Sequence, residues 1–278
     1  MLTRILTGMC LVLVAIPIIL LSDTVVFVIA IGLLSAIGVF EMLRCLGIHK
    51  NYWLSLPSYA VALVIPAITR FSDGFADSGL MLFAFFYVYM LYALACAMFS
   101  GGKILFKDAA KVIVSTAYIV CGFSCLIATR DLPHGMFLLI MAVVLAFATD
   151  IFAYFSGMLF GKHKLIPAVS PKKTVEGAIG GTLIAAAAFV GCGFLYSHIY
   201  DGVQPNALSL FICGAALSVV SQIGDLIASF IKRENGIKDY GKLFPGHGGV
   251  LDRFDSVIAV APILYLLLAN PMVLTIFG

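Results

Sequence analysis

Long apolar segments recur along the whole chain and constrain its fold more than any other feature. A helix that crosses a bilayer needs roughly 20 apolar residues, within a range of about 17–25. Nine segments meet this expectation, at residues 5–21, 25–43, 53–69, 79–99, 112–129, 135–156, 177–197, 207–229 and 256–277. Only 11% of the residues are charged, against about 25% in a soluble domain. We therefore predict an all-α polytopic membrane protein with about nine transmembrane helices.

We predict a single integral membrane domain that comprises residues 1–278. Its N-terminal group of spans occupies residues 1–130 approximately, and a second, C-terminal group occupies residues 135–278 approximately. The third span is the weakest, because Pro57 and Pro66 interrupt it. The first resembles a signal peptide, with Arg4 before an apolar core. No A-x-A-like cleavage pattern follows and the second span begins almost at once, so we expect a retained helix.

The distribution of basic residues predicts the orientation. With nine spans, 15 of the 17 Lys and Arg residues fall on the side of the N-terminus, and only Arg70 and Arg130 fall opposite. Short cytoplasmic loops carry an excess of Lys and Arg. We therefore expect a cytoplasmic N-terminus and an external C-terminus. The spans and the lack of a targeting sequence favour a bacterial cytoplasmic (inner) membrane, and we expect no nucleic-acid partner.

The longest polar stretch, residues 229–255, lies on this basic side. It combines a glycine-rich turn, Pro245–Gly249, with five cations: Lys232, Arg233, Lys238, Lys242 and Arg253. Glycines allow successive backbone N–H groups to face one concavity, which suits phosphate, and cations neutralise phosphate charge. The acidic residues among them favour a hard cation such as Mg²⁺. A solvated loop would explain the lysines, but not this turn directly before Asp-Arg-Phe-Asp at a helix start.

Acidic residues in membrane helices are costly and usually functional. Asp225 shares a helical face with Ser218, Ser221, Gln222 and Ser229. Interhelical hydrogen bonding accounts for the serines and the glutamine. It accounts poorly for Asp225, which we predict to be a metal ligand.

Three other acidic residues have competing interpretations. Asp252 follows the glycine-rich turn and is the predicted partner of Asp225, whereas Asp255 is explained by its position near a helix N-terminus. Asp150, in the sixth span, is either a ligand for metal or substrate or a buried acid bonded to Tyr or Thr. Glu41 is expected to be interfacial and paired with Arg44.

The segment Ser170-Pro171-Lys172-Lys173-Thr174 precedes the seventh span. Ser followed by Pro predicts an N-cap and a first helical position, and a helix N-terminus beside two lysines is an anion site. His247 is either a phosphate ligand or a structural residue of the turn. Gly157-x-x-x-Gly161 and Gly177-x-x-x-Gly181 are small-residue packing patterns.

The pattern S-x-x-K-R-x4-K-D-x-G-x-x-x-P-G-H-G-G-x-x-D-R-x-D, from Ser229 to Asp255, resembles the signature of the phosphatidate cytidylyltransferases, or CDP-diacylglycerol synthases. The segments 160–165 and 170–174 and the pair Gly224-Asp225 also resemble that family. The likeness covers roughly the C-terminal half. Phe152 departs from it, since relatives often have Gly in an Asp-x-Gly-Ala-Tyr run.

The resemblance implies transfer of CMP from CTP to phosphatidic acid, with Mg²⁺, room for a second cation such as K⁺, and a homodimer. Asp225, Asp252 and Lys173 would be catalytic, and Asp150 would join the two aspartates at the metal. The residues expected to bind substrate are Ser170, Lys172, Lys232, Arg233, Lys238, His247, Gly248, Gly249 and Arg253.

Two other functions remain open from the sequence alone. A CTP-using polyprenol kinase would transfer the γ-phosphoryl group instead of CMP. A secondary transporter would need broken helices in corresponding halves of the chain, which the sequence does not indicate. CDP-alcohol phosphotransferases are disfavoured because their D-G-x-x-A-R pattern is absent.

Overall fold

The computed structural model describes residues 2–71, 75–200 and 204–269, which form nine α-helices and one β-hairpin. The elements are α1 (Leu2–Leu20), α2 (Val25–Cys45), α3 (Tyr52–Phe71), α4 (Phe75–Phe99), α5 (Phe106–Arg130), α6 (Gly135–Phe160), β1 (Lys164–Ile166), β2 (Ser170–Thr174), α7 (Val175–Ile199), α8 (Ala207–Glu234) and α9 (Leu251–Ala269). A helix covers each predicted span as far as the chain is described. The all-α polytopic fold is therefore confirmed.

Seven of these helices, α2 to α8, are long and apolar enough to cross a membrane. The apolar part of α1, Thr7–Leu20, is shorter than these seven candidate spans. Helix α9 begins with the charged residues Asp252, Arg253 and Asp255. Helix α3 continues through Pro57 and Pro66 and is itself long and apolar enough to cross a membrane.

The segment before α7 contradicts our prediction. Ser170 is not a helix N-cap, because residues Ser170–Thr174 form β2, which pairs antiparallel with β1. The N-cap of α7 is Thr174, whose side-chain oxygen accepts from the N–H of Gly177 at 3.1 Å. Glu176 fixes the other end of the hairpin by accepting from the N–H groups of Lys162 and His163. The lysines of β2 therefore lie on a strand and not at a helix N-terminus.

The chain folds as two compact units. Unit 1 comprises Met1–Asp131 and Asn235–Arg253, and unit 2 comprises Leu132–Glu234 and Phe254–Gly278. The first boundary falls where we predicted the second group of spans to begin. The segment Asn235–Arg253, however, belongs with the N-terminal helices.

Glycines bring α6 and α7 into close contact within unit 2. A Cβ at Gly177 would lie 2.6 Å from the carbonyl oxygen of Ala153, and one at Gly181 would lie 2.8 Å from the Cβ of Ala153. The predicted packing role of these glycines is therefore confirmed for the helix pair. Leu138, Phe189 and Leu217 belong to the apolar core that α6, α7 and α8 form in unit 2.

Candidate active site

Asp252 holds the glycine-rich loop of unit 1 against the start of α9. Its Oδ2 accepts hydrogen bonds from the N–H groups of Tyr240 at 2.7 Å, Gly249 at 2.9 Å and Gly241 at 3.4 Å. Gly248 has φ +87, and a Cβ there would lie 2.6 Å from the same oxygen. Only glycine fits this position without strain. The carboxylate that we predicted as a metal ligand thus also organises the loop.

Glu41 supports the same loop from α2, more than 200 residues earlier in the chain. It is only 3% exposed and accepts from the N–H groups of Val250 at 3.1 Å and Leu251 at 2.9 Å. The first N–H groups of a helix lack intrahelical partners, and Glu41 supplies them for α9. A Cβ at Gly241 or Gly249 would collide with its carboxylate.

Glu41 is therefore a buried support of the loop, a role that we did not predict. Its intended partner, Arg44, donates instead to the carbonyl oxygen of Tyr240. The sequence did contain one signal of a special role, because Glu41 is an acidic residue in the last two turns of a predicted span. The sequence contained no indication that its partners are backbone N–H groups at the far end of the chain.

The predicted phosphate cradle of backbone N–H groups is also contradicted. The N–H groups of His247 and Gly248 donate to the carbonyl oxygen of Phe244, at 2.8 and 3.1 Å, and that of Gly249 donates to Asp252. These donors are used inside the loop. The glycines at 241, 248 and 249 instead provide space for the Glu41 and Asp252 carboxylates.

Side chains of the loop surround a basic cavity of about 610 Å³. We define it by Lys238, Lys242, His247 and Arg253, with Asp239 as its one acidic lining residue. Arg253 is held in place by donating from Nε to the carbonyl oxygen of His247 at 2.8 Å. Three cations around one cavity suit a substrate with several negative charges. Of the predicted substrate residues, Lys238, His247, Gly248 and Arg253 meet here.

Unit 2 contains a second charged group, the carboxylate–lysine cluster, formed by Asp150, Lys173, Asp225, Lys232 and Asp255. Lys173 Nζ lies 2.5 Å from Asp225 Oδ2, and each side chain is 24% exposed. Asp255, 9% exposed, is close enough to Asp225, Lys232 and Asp150 to interact with their charges. Two predicted catalytic residues, Lys173 and Asp225, are therefore in direct contact.

Hydroxyl groups complete the surroundings of the cluster. Ser256 Oγ donates to Asp150 Oδ2 at 3.4 Å, and Ser229 Oγ donates to Asp225 Oδ1 at 3.5 Å. Ser256 is thus one hydroxyl partner of Asp150. The predicted hydrogen bonding of the α8 polar face is confirmed for two residues: Gln222 Nε2 donates to Thr182 Oγ1 at 2.9 Å, and Ser218 Oγ accepts from Thr149 Oγ1 at 3.0 Å. Among the described residues, the buried hydroxyl of Ser221 has no hydrogen-bond partner.

The cluster gives Asp255 and Lys232 roles that we did not expect. Asp255 was assigned to the helix dipole, but its burial beside two other carboxylates places it in the site. Lys232 is only 8% exposed and acts as a countercharge to Asp255. Lys172, by contrast, is exposed, whereas its neighbour Lys173 is half-buried. Arg233 is exposed at the end of α8.

The donor set of the cluster fits a magnesium ion. Within the described residues no group of three or more His, Cys, Asp or Glu side chains is arranged as a metal site. Mg²⁺, however, is usually held by one or two carboxylates together with substrate phosphates. Asp225 and Asp255 provide two such carboxylates. Convergence of Asp225 with Asp252 stays a prediction, because these residues belong to different units.

Comparison with known proteins identifies the family. The chain is 34% identical to a phosphatidate cytidylyltransferase of Staphylococcus haemolyticus, over 95% of this chain and 98% of the relative. It has the same identity and the same coverage of both chains with proteins of that name from Staphylococcus epidermidis and Staphylococcus aureus. The model of the Cytidylyltransferase family matches residues 2–270. The chain therefore belongs to the cytidylyltransferase family.

Proposed function

We propose that this protein transfers CMP from CTP to phosphatidic acid, giving CDP-diacylglycerol and pyrophosphate. The observation that carries the proposal is its 34% identity, over 95% of its length, with relatives named phosphatidate cytidylyltransferase. The carboxylate–lysine cluster and the basic cavity supply the charges that this reaction needs.

The reaction joins two polyanions, so its barrier is mainly electrostatic. An oxygen of the lipid phosphate monoester attacks the α-phosphorus of CTP, and the bond to pyrophosphate breaks. The attacking oxygen is already anionic near neutral pH, so no strong general base is required. The protein must instead neutralise charge and align the reactants.

Lys173 and Lys232 are the cations of the cluster and would stabilise phosphate charge there. The ion pair with Asp225 positions the Lys173 ammonium group before substrate binds. Mg²⁺, when bound, would be held by Asp225 and Asp255 and would supply further charge neutralisation. The same proposal includes Asp150 and Asp252 as further metal ligands. It also includes the binding of a second cation such as K⁺.

The basic cavity would bind phosphate groups through Lys238, Lys242 and Arg253. Because Glu41 and Asp252 use the backbone N–H groups of this loop, phosphate recognition there falls to side chains. This assignment replaces the backbone cradle that the glycines had suggested.

The apolar helices make this a multi-pass membrane protein, and its bacterial relatives imply the cell membrane. The excess of Lys and Arg on one side supports a cytoplasmic N-terminus and an active site that faces cytosolic CTP. We include a homodimer in the proposal, on family resemblance.

Labelled CTP tests the proposal directly. Purified protein with Mg²⁺ and phosphatidic acid should transfer label from [α-³²P]CTP to lipid and release label from [γ-³²P]CTP as pyrophosphate. Transfer of the γ-label to a polyprenol would instead identify a kinase. Solute flux in liposomes without CTP turnover would identify a transporter, and either result would overturn the proposal.

The two lysines of β2 give a matched pair of variants. Lys173→Ala should raise the KM for CTP by roughly 10- to 100-fold, because it removes one charge-assisted hydrogen bond. Lys172→Ala removes the same charge from the exposed side of the strand and should have a much smaller effect. A change confined to the phosphatidate dependence in Lys173→Ala would show that this lysine serves the other substrate.

A further inference from the structure

A second cavity of unit 1, of about 720 Å³, takes no part in the proposed reaction. It lies between the start of α3 and the end of α4, and shares no residue with the basic cavity or the carboxylate–lysine cluster. We call it the α3–α4 cavity and define it by Lys50, Trp53, Tyr92, Phe99 and Lys103. Its volume lies within the range of about 300–1,000 Å³ that is usual for ligand sites.

The charges of the α3–α4 cavity favour an anion. None of its lining residues is acidic, and Lys50 and Lys103 both contribute to the wall. In the part of the chain that the structure describes, neither ammonium group has an ion pair or a hydrogen bond. Two lysines that lack a protein partner are available for a phosphate group.

The rest of the wall is apolar and aromatic. Trp53 and Phe99 are 72% and 81% exposed, which is unusual for large apolar side chains unless another apolar phase covers them. The hydroxyl of Tyr92 donates to the carbonyl oxygen of Trp53 at 3.1 Å and ties α4 to α3 at this place. A free phosphate would leave this surface in water, whereas an acyl chain would cover it.

The position of the cavity identifies the source of such a ligand. The candidate membrane spans Tyr52–Phe71 and Gly79–Phe99 begin and end here, so the cavity lies where two spans meet the membrane surface. Trp and Tyr prefer this level of the bilayer, and lysines near helix ends extend their charge toward the headgroups. Lys50 and Lys103 also lie on the basic side of the chain.

We infer that the α3–α4 cavity binds an anionic phospholipid of the surrounding bilayer, with its phosphate between Lys50 and Lys103 and an acyl chain on Trp53 and Phe99. The inference does not depend on the proposed function, because it concerns other residues and requires no CTP. The ligand class is a diacyl phospholipid with net negative charge, independent of its headgroup alcohol.

Trp53 provides the measurement, because it is the only tryptophan of the chain. Its fluorescence in neutral detergent micelles can be quenched with phospholipids that carry brominated acyl chains. Brominated phosphatidylglycerol should quench at a mole fraction roughly 5- to 25-fold lower than brominated phosphatidylcholine, about 5-fold for each lysine. Equal quenching by the two lipids would mean ordinary boundary lipid and would overturn the inference.

Two variants and one competitor complete the experiment. Lys50→Gln/Lys103→Gln should abolish the preference for phosphatidylglycerol. The control Lys107→Gln/Lys111→Gln removes the same charge from neighbouring exposed lysines outside the cavity and should keep the preference. A preference that survives in the first variant would contradict the inference. Reversal of quenching by inorganic phosphate, at matched ionic strength, would also contradict it by indicating a free-anion site.

Discussion

Asp225→Asn should lower the rate of CDP-diacylglycerol formation by roughly 1,000-fold or more. The substitution keeps the shape of the side chain but removes the charge that pairs with Lys173 and that would hold the metal ion. Loss of one preorganised electrostatic group at a reacting centre typically costs about 100- to 1,000-fold, and here two functions are lost together. The rate is measured with [α-³²P]CTP and phosphatidic acid at saturating Mg²⁺.

The variant must be shown to fold before its rate is interpreted. Elution as a single species in detergent and an unchanged helical circular dichroism spectrum would show this. Asp225 is 24% exposed and asparagine has the same shape as aspartate, so we expect both criteria to be met. Near-normal turnover by the folded variant would exclude Asp225 from the chemistry.

Glu41→Ala should destabilise the protein and abolish activity, although Glu41 lies in α2 and far from the signature in sequence. The change leaves the N–H groups of Val250 and Leu251 buried without a partner. Each costs about 1–3 kcal/mol, so we expect a loss of roughly 2–6 kcal/mol and a clearly lower Tm in detergent. Glu234→Ala, which removes the same charge from an exposed position at the end of α8, should leave the Tm almost unchanged.

A double-mutant cycle distinguishes loop support from a general loss of stability. Gly249→Ala introduces a Cβ that collides with the Glu41 carboxylate and should lower the Tm of the wild-type protein. In the Glu41→Ala background that collision is removed, so the added cost should largely disappear. Strictly additive effects would show that the two residues do not act on each other.

The positions of the helices could be predicted because hydrophobicity and length largely determine a membrane span. Even α3, with Pro57 and Pro66, follows this rule. The β-hairpin before α7 could not be predicted in the same way. Ser-Pro is an acceptable helix start, and only the pairing of β2 with β1 decides against it.

The site could be predicted only in part, for a related reason. The sequence predicted catalytic roles for Asp225 and Lys173, but not their direct contact. The glycine-rich turn was misinterpreted because glycine gives the same pattern whether it exposes N–H groups or makes room for a side chain. Glu41 decides between these alternatives, and its contacts span about 200 residues of sequence.

Asp255 shows how a sufficient local explanation can conceal a residue of the candidate site. An acid in the first turns of a helix stabilises the helix dipole, and nothing more was needed to account for it. The structure places it, 9% exposed, beside the charges of Asp225, Asp150 and Lys232. Burial of several carboxylates in one place is a tertiary property that helical spacing does not reveal.

We propose that the carboxylate–lysine cluster binds the divalent cation of the reaction. Binding of Mn²⁺, as a substitute for Mg²⁺, can be measured in the presence of CTP by electron paramagnetic resonance of the free ion. Asp225→Asn should raise the Kd for Mn²⁺ by at least about 10-fold, whereas Asp239→Asn, the same charge change in the basic cavity, should leave it nearly unchanged. An unaltered Mn²⁺ affinity in Asp225→Asn would contradict the account.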